Sequence, residues 1–293
     1  MTVLFFDSAM PDDERRRRVF AGDLFVYSPT PRSLELCAFA RTMAEQALSP
    51  FFPPEAQHHM DKQAYVDVLA DLKPTFINHP RSKELVAGIL ADLRVDLADA
   101  YLDVPRLRTM TSDYLNAGLT LQFESHRDTW FSAPFSQINY WIPVYDIVES
   151  NAMAFHPRYF TEPVRNSSRD YNYAKWVAEA RGAAATQVEQ ETRKQPEAEQ
   201  EIEREPDIRV IPSAGGILVF SGAQLHSTVP NTSGVTRFSI DFRVVNRQDV
   251  EAHRGAVNVD SASTGANLGD FLRAADLGHL PVELIDEYDT SRV

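Results

Sequence analysis

The sequence predicts a mainly β protein, an antiparallel sandwich or barrel with flanking helices. Between positions 106 and 245 the chain has short segments rich in β-branched and aromatic residues, separated by turns that contain Gly, Pro or Asn. The first 105 residues instead place apolar side chains at helical spacing. Because sandwiches and barrels often reach this length as one unit, and no internal repeat is evident, we expect a single domain over 1–293.

The N-terminal part, 1–105, is expected to be a mainly helical support for the β core. Two short strands are predicted at 3–6 and 23–27, and helices are predicted at 31–48, 61–72 and 80–102. In the first helix, apolar residues such as Leu34 and Ala44 recur near helical spacing, and Pro53 and Pro54 follow it and break the pattern.

The β core is predicted in two parts, 106–159 and 208–245. Its strands are expected at 106–114, 119–125, 137–145, 152–156, 208–211, 216–220, 225–229 and 236–245. The insertion between the parts, 160–207, has an aromatic first half and a second half rich in Ala, Gln and Glu. It is either a lid over an active site or a solvated surface element. The C-terminal part, 246–293, is expected to contain two short helices within 266–288.

The composition argues against nucleic acid and membranes as partners. The net charge is −13, whereas binding to phosphates needs clustered Lys and Arg. Since no apolar run could span a bilayer and the N-terminus shows no clear targeting signal, a cytoplasmic location is expected. Cys37 is the only cysteine, so no intrachain disulfide is possible, and we expect it to be a small buried hydrophobe. The oligomeric state is left open.

Two histidines and a carboxylate are the main chemical signal of the predicted core. His126 and Asp128 flank Arg127 at the end of the strand predicted at 119–125, and positions i and i+2 of a strand point the same way. His226 follows a hundred positions later on a separate strand, which a barrel can bring alongside. Two imidazoles and one carboxylate can occupy one face of Fe(II) and leave the opposite face open.

A second H-x-D triplet, His59-Met60-Asp61, shows that the motif also arises by chance. It lies in a region predicted as helical, where side chains at i and i+2 diverge. The first triplet is the stronger candidate because it has strand context, the distal His226 and the run Arg237-Phe238-Ser239, which begins eleven residues beyond that histidine.

These residues resemble the Fe(II)- and 2-oxoglutarate-dependent oxygenases, specifically the phytanoyl-CoA dioxygenase-like branch. The similarity covers roughly 106–159 and 208–245. The stretches that carry it are Trp141-Ile142-Pro143-Val144-Tyr145-Asp146, Glu149-Ser150-Asn151-Ala152-Met153, Ser213-Ala214-Gly215-Gly216-Ile217-Leu218-Val219-Phe220 and Pro230-Asn231-Thr232-Ser233.

Two loops depart from the pattern of that branch. Asn151-Ala152 stands where the family often has Asn-Gly, and His156-Pro157-Arg158-Tyr159 stands where it often has Pro-Gly-Ser-His. The second loop lies near the substrate in such folds, so the family's usual substrates are not assumed for this chain.

The resemblance implies a double-stranded β-helix core, of the jelly-roll or cupin-like kind, in which His126, Asp128 and His226 bind Fe(II). Arg237 would pair with the C5 carboxylate of 2-oxoglutarate, and Ser239 would add a hydrogen bond. Ser239 could equally face solvent. Arg243, on the same strand, could compete for the role of Arg237 or form an exposed salt bridge.

The reaction that the resemblance implies uses O2 to convert 2-oxoglutarate into succinate and CO2. It most commonly hydroxylates an unactivated C–H bond of a small molecule, although desaturation, ring closure and epimerisation use the same ligands. The halogenase variant is not expected, because Asp128 occupies the position that this variant leaves open for chloride. The family's diverse small molecules indicate specialised metabolism.

Substrate contacts are expected from side chains near the ligand set. The candidates are Arg127, Trp130, Phe131, Asn139, Trp141 and Arg158. Core packing is the plain alternative for Phe131 and Trp141, and a surface position is the plain alternative for the two arginines.

Two other classes of function fit part of this pattern. One is a cupin-like isomerase or binding protein that holds a metal without redox chemistry; such sites usually have a third histidine, and nothing in them would require Arg237. The other is a catalytically inactive relative that binds a partner through the acidic insertion, which the intact ligand set disfavours.

Overall fold

The computed structural model describes residues 2–113, 124–179 and 195–290. Within these ranges the chain forms one sheet of eight strands and one of three, with helices packed on the outer side of the larger sheet. This arrangement confirms the predicted fold class, a mainly β core of jelly-roll type with flanking helices.

The elements follow one another as short strands and helices along the chain. The strands are β1 (Leu4–Phe6), β2 (Leu24–Tyr27), β3 (Ala100–Leu102), β4 (Arg106–Met110), β5 (Ile138–Pro143), β6 (Met153–Phe155), β7 (Ile208–Val210), β8 (Ile217–Ser221), β9 (His226–Thr228), β10 (Arg237–Asn246) and β11 (Leu272–Arg273). The helices are α1 (Asp12–Phe20), α2 (Pro31–Leu48), α3 (Lys62–Asn78), α4 (Pro80–Asp92), α5 (Tyr173–Glu179), α6 (Arg247–Glu251) and α7 (Val282–Thr290). A short 3-10 turn, Asp128–Phe131, begins within the H-x-D triplet.

The larger sheet has the order β1-β2-β8-β5-β10-β3-β11, and β4 pairs with the first half of β10. The smaller sheet has the order β7-β6-β9. On β10, Phe238 and Ile240 pack in the core beneath the helices. Because side chains alternate along a strand, Arg237, Ser239 and Arg243 point to the opposite face, toward the smaller sheet.

Helices α2, α3 and α4 cover the outer face of the larger sheet. Helix α2 begins with a capping box, in which Thr30 Oγ1 accepts from the Ser33 amide and Ser33 Oγ accepts from the Thr30 amide. Pro31 occupies the first turn, where no amide proton is needed. Leu36 and Ala40 face the sheet at helical spacing, which is the pattern that predicts this helix from sequence.

The two sheets meet through a second apolar cluster. Trp141 of β5 and Phe220 of β8 pack with Met153 and Phe155 of β6. These side chains occupy the inner face of each sheet, so they set the distance between the sheets. They also place β9, which pairs with β6 and carries His226, against the inner layer.

The helix predicted at 80–102 is wrong in its second half. Helix α4 ends at Asp92, where Arg94 adopts a left-handed φ of 59° and the Val95 amide donates to the Leu90 carbonyl. This arrangement closes the C-terminus of the helix. The chain then enters β3, which pairs with β10 and β11, so the apolar residues near position 100 belong to the sheet.

Other segments also differ from expectation. Of the two helices predicted within 266–288, the structure contains one α-helix, α7, preceded by a 3-10 turn and β11. Most of the strand predicted at 119–125 lies outside the described residues.

Of the insertion 160–207, the structure describes 160–179 and 195–207. The returning limb, 195–207, packs on the body of the protein, since Ala198 and Ile202 contact a cluster that includes Trp130 and Leu225. Whether the insertion acts as a lid stays a prediction. None of the described helices is both long enough and apolar enough to cross a bilayer.

Candidate metal centre

The structure brings His126, Asp128 and His226 together between the two sheets. Each offers one ligand atom, and these atoms all lie within 4.8 Å of one another. The His126 and His226 segments form an antiparallel bridge with reciprocal backbone hydrogen bonds of 3.0 Å. The Asp128 amide donates to the carbonyl of Gly222 at 2.9 Å, so the triplet is held against the segment that leads to His226.

Both imidazoles are oriented by their own backbone. The Nδ1 atom of His126 lies 2.9 Å from the carbonyl oxygen of Glu124, and Nδ1 of His226 lies 2.9 Å from that of Gln224. A carbonyl only accepts, so Nδ1 carries the proton and Nε2 keeps the lone pair that binds a metal. Burial, and after it the neighbouring His126, lower the pKa of His226 to about 4, which keeps this imidazole neutral.

The two oxygens of Asp128 have different surroundings. Oδ2 accepts from Gln137 Nε2 at 2.8 Å and from Asn139 Nδ2 at 2.7 Å, whereas Oδ1 lies 3.7 Å from His126 Nε2. Burial favours the neutral acid, but Arg243, the two histidines and the Asn139 amide outweigh it and lower the pKa of Asp128 to about 2. Oδ1 is therefore the oxygen available to a metal, beside the two imidazoles.

This donor set suits a first-row divalent metal such as Fe(II). Two neutral imidazoles and one carboxylate supply nitrogen and oxygen donors from one side, which is the facial arrangement of non-haem iron sites with open positions. Among the described residues, no other group of three or more His, Cys, Asp or Glu side chains brings its ligand atoms together in this way to hold a metal ion. The second H-x-D triplet does not form a site: His59 stacks on Phe51, and Asp61 caps α3.

Arg237 is a buried cation, and among the described residues no carboxylate lies within ion-pair distance of it. Nη1 donates to the Asn151 carbonyl at 2.7 Å and Cζ lies 5.4 Å from the Trp141 ring centroid, but Nε has no hydrogen-bond partner. Burial lowers the pKa of Arg237 to about 10, against a smaller opposing effect of the Asp241 carboxylate. Ser239, two residues along the same face, is also fully buried, and its hydroxyl has no partner in the described structure.

Arg243, the competing candidate, is already neutralised. Its guanidinium lies 3.3 Å from Asp103 and 3.7 Å from both Asp128 and Asp241. Burial would lower the pKa of Arg243, but these carboxylates outweigh it and raise that pKa above its usual range. Of the two arginines, Arg237 is the one left free to bind a further anion.

Arg127 and Trp130 have internal partners. Arg127 is buried; Nε donates to Asp260, Nη1 donates to the Ala223 carbonyl at 2.7 Å, and Nη2 donates to the carbonyls of Tyr159 and Glu162. Trp130 Nε1 also donates to Asp260, at 2.7 Å. These contacts join the triplet to the C-terminal part of the chain, which favours a structural role over the predicted substrate contact.

The other substrate candidates lie in different surroundings. Asn139 donates a hydrogen bond to Asp128, and the Trp141 ring lies beneath the Arg237 guanidinium. Arg158 is exposed and pairs with Glu162 and Glu203 on the insertion. Phe131 is half-buried and its ring meets the His126 ring edge-on at 5.6 Å, so it is the candidate that borders the ligand set.

Two further residues at the site were not assigned from sequence. Gln137 shares with Asn139 the task of holding Asp128, and both lie on the strand predicted at 137–145, two positions apart. Their alternation was a usable signal, because residues i and i+2 face the same side. Asp260 carried no comparable signal, since its partners are more than ninety positions away.

No family model and no curated protein matches the chain. Among solved structures, it is similar to EvdO2 from Micromonospora carbonacea var. aurantiaca complexed with 2-oxoglutarate, at 11% identity, over 81% of this chain and 92% of that one, with a TM-score of 0.46. In another EvdO2 structure the match spans 62% of that chain, less than two thirds of its length.

The chain is also similar to the epimerase SnoN in complex with Fe3+, alpha ketoglutarate and nogalamycin RO, at 15% identity, over 80% of this chain and 85% of that one, with a TM-score of 0.42. AviO1 from Streptomyces viridochromogenes Tue57 has 14% identity over 82% of this chain and 97% of that one, with a TM-score of 0.38. The similarity is one of overall architecture.

Proposed function

We propose that this protein is an Fe(II)- and 2-oxoglutarate-dependent oxygenase that hydroxylates an unactivated C–H bond of a small molecule. The observation that carries the proposal is a three-donor metal set in the same inner layer as a buried guanidinium, Arg237, that lacks a carboxylate partner in the described structure. A metal protein without redox chemistry needs the donor set and has no use for the guanidinium.

Burial of the Arg237 guanidinium costs free energy unless an anion pairs with it. A buried charge that lacks its partner destabilises a fold by several kcal/mol. A carboxylate would remove this cost, because the planar guanidinium can donate to both carboxylate oxygens. The Ser239 hydroxyl, on the same face of β10, offers a further donor. We therefore assign these two residues to the C5 carboxylate of 2-oxoglutarate.

Each site residue has one task in the proposed reaction. His126 and His226 would hold Fe(II) through Nε2, and Asp128 would hold it through Oδ1. When bound, Fe(II) supplies the activation of O2, coupled to the conversion of 2-oxoglutarate into succinate and CO2. Arg237 and Ser239 would hold the distal end of that cosubstrate. The surrounding layer of buried side chains limits the access of water to the site.

The substrate is proposed to approach beside His126. Its side chain is 28% exposed, against 11% for Asp128, so the ligand set opens on the side of this histidine. The Phe131 ring, which also packs edge-on against Tyr171 at 5.7 Å, forms an apolar wall at the opening. Phe131 is therefore the residue we expect to contact the substrate.

Succinate release from 2-oxoglutarate tests the proposal. The purified protein, given Fe(II), O2 and 2-oxoglutarate, is expected to release succinate slowly even without its substrate. His126→Ala should abolish this release, and His59→Ala, which alters the other H-x-D triplet, should leave it unchanged. A wild-type protein that binds Fe(II) but releases no succinate would overturn the proposal in favour of a non-redox metal protein.

A further inference from the structure

His156 lies on the opposite side of the ligand-bearing segments from the metal centre. Its ring is buried, and Nε2 lies 3.3 Å from Ser125 Oγ and 3.1 Å from Ser227 Oγ. These serines are the chain neighbours of His126 and His226. Because neighbouring side chains in extended segments point to opposite faces, the serines turn toward His156 while the histidines turn inward.

The hydrogen bonds of His156 define its tautomer. Nδ1 lies 3.1 Å from the carbonyl oxygen of Arg204, on the returning limb of the insertion. Since a carbonyl only accepts, Nδ1 carries the proton and Nε2 accepts from both serine hydroxyls. Burial lowers the pKa of His156, in keeping with a neutral ring. One imidazole thus joins three segments that are distant in sequence.

The ligand-bearing segments are also linked directly to each other. Two backbone hydrogen bonds join His126 and His226, and Asp128 and Arg127 donate to the carbonyls of Gly222 and Ala223. A common acceptor behind both segments restrains their separation and twist. Partners that hydrogen-bond to metal ligands orient them, and their loss typically weakens metal binding by about 10- to 100-fold. His156 acts one step further out, through the serines beside the two histidines.

We propose that His156 is a positioning residue, which fixes the two histidine ligands relative to each other and ties the returning limb, 195–207, to the metal centre. The proposal rests on the metal centre of the proposed function but not on the reaction that it performs. It assigns His156 no contact with metal or substrate.

Two substitutions of His156 by amide residues separate its contact with the serines from its contact with Arg204. In His156→Gln the amide can reach the place of Nε2, where it accepts from the serines, and the donor to Arg204 is lost. In His156→Asn the amide nitrogen takes the place of Nδ1, so the tie to Arg204 is kept and the acceptor for the serines is lost. His156→Phe removes both.

Two measurements on the full chain test these variants. Calorimetric titration with Co(II) reports metal affinity, and hydrogen–deuterium exchange of the metal-free protein reports the protection of 124–128 and of 195–207. We expect His156→Asn and His156→Phe to weaken Co(II) binding by about tenfold, the lower end of that range, and to deprotect 124–128. His156→Gln should keep the Co(II) affinity and the protection of 124–128 near wild type. Both His156→Gln and His156→Phe should deprotect 195–207.

Matched serine variants provide the control. Ser227→Ala removes one donor to His156 and should weaken Co(II) binding. Ser82→Ala removes another buried hydroxyl, bonded to the Phe76 carbonyl at 2.7 Å in the helical layer, and should leave Co(II) affinity unchanged.

Equal Co(II) affinity and equal exchange of 124–128 in wild type, His156→Asn and His156→Phe would overturn the proposal and leave His156 as a packed core residue. If the wild type binds no Co(II), the metal centre of the proposed function fails, and the exchange data on the metal-free protein still decide whether His156 restrains these segments.

Discussion

Asn139 donates from Nδ2 to Oδ2 of Asp128 at 2.7 Å, and this contact leaves the other carboxylate oxygen to face the imidazoles. The amide therefore decides which oxygen of Asp128 is available and how the carboxylate is turned. A residue first considered for substrate binding is thereby placed behind a proposed metal ligand.

Replacing Asn139 by Ala is expected to weaken metal binding by about 10- to 100-fold, because Asp128 loses a partner that orients it. Calorimetry with Co(II) or Mn(II) checks this. The control is Asn246→Ala, which removes a buried amide that caps α6. Equal metal affinity in wild type and Asn139→Ala would show that Gln137 alone holds the carboxylate.

Breaking the buried pair between Arg127 and Asp260 should destabilise the protein. In Arg127→Met the Asp260 carboxylate keeps Trp130 and the Val164 amide as its donors among the described residues. Loss of one partner of a buried pair costs about 3–5 kcal/mol, and Arg127→Met with Asp260→Asn should cost less than the sum of the single changes. Urea unfolding of the three variants measures this.

The same variants separate the structural role of Arg127 from the substrate contact considered from sequence. A substrate-binding arginine would leave the free energy of unfolding unchanged and alter only the KM of the substrate. The contacts of Arg127 with Asp260 predict that each single variant lowers the free energy of unfolding and that the double variant lowers it by less than the sum.

Cys37 should be unreactive in the folded protein. It is 1% exposed, and burial raises the pKa of its thiol from 9.0 to about 11. Iodoacetamide at pH 8 should therefore modify the urea-unfolded chain quickly and the native chain very slowly. Rapid modification of the native protein would show that the contact between α2 and the sheet opens readily.

The same shift predicts a dependence of stability on pH. The folded pKa of Cys37 lies above the unfolded value, so the stability linked to the protonated thiol is complete below pH 9 and is lost as the pH rises toward 11. Over that interval the free energy of unfolding should fall more steeply for the wild type than for Cys37→Ala. An equal dependence of the free energy of unfolding on pH in the wild type and Cys37→Ala would contradict the assignment of this loss to Cys37.

The sequence allowed much of the fold to be predicted where one local pattern decides the structure. Apolar residues at helical spacing predict α2, and alternation predicts which face of β10 carries Arg237 and Ser239. The end of α4 was missed because Arg94, and not a glycine, adopts the left-handed conformation there. A non-glycine cap gives no sequence signal for the end of a helix.

Site residues divide in the same way. His126 and Asp128 could be paired from their spacing on one strand, and the structure brings His226 to them. The contacts of Asp128 with Arg243 and of Arg127 with Asp260 join positions more than a hundred apart. No periodicity links such positions, so only the folded chain shows that one arginine is neutralised and that the other is a structural cross-link.

Binding of 2-oxoglutarate to the metal-loaded protein, measured by anaerobic calorimetry, tests the central claim most directly. The wild type should bind 2-oxoglutarate, and Arg237→Met should bind it roughly 10- to 100-fold more weakly, because a charged pair is lost. Arg237→Lys should fall between them, since it keeps the charge without the planar fork. Arg209→Met, which removes an arginine near the protein surface, should bind like the wild type. Equal affinity in wild type and Arg237→Met, or no binding by the wild type, would contradict the account.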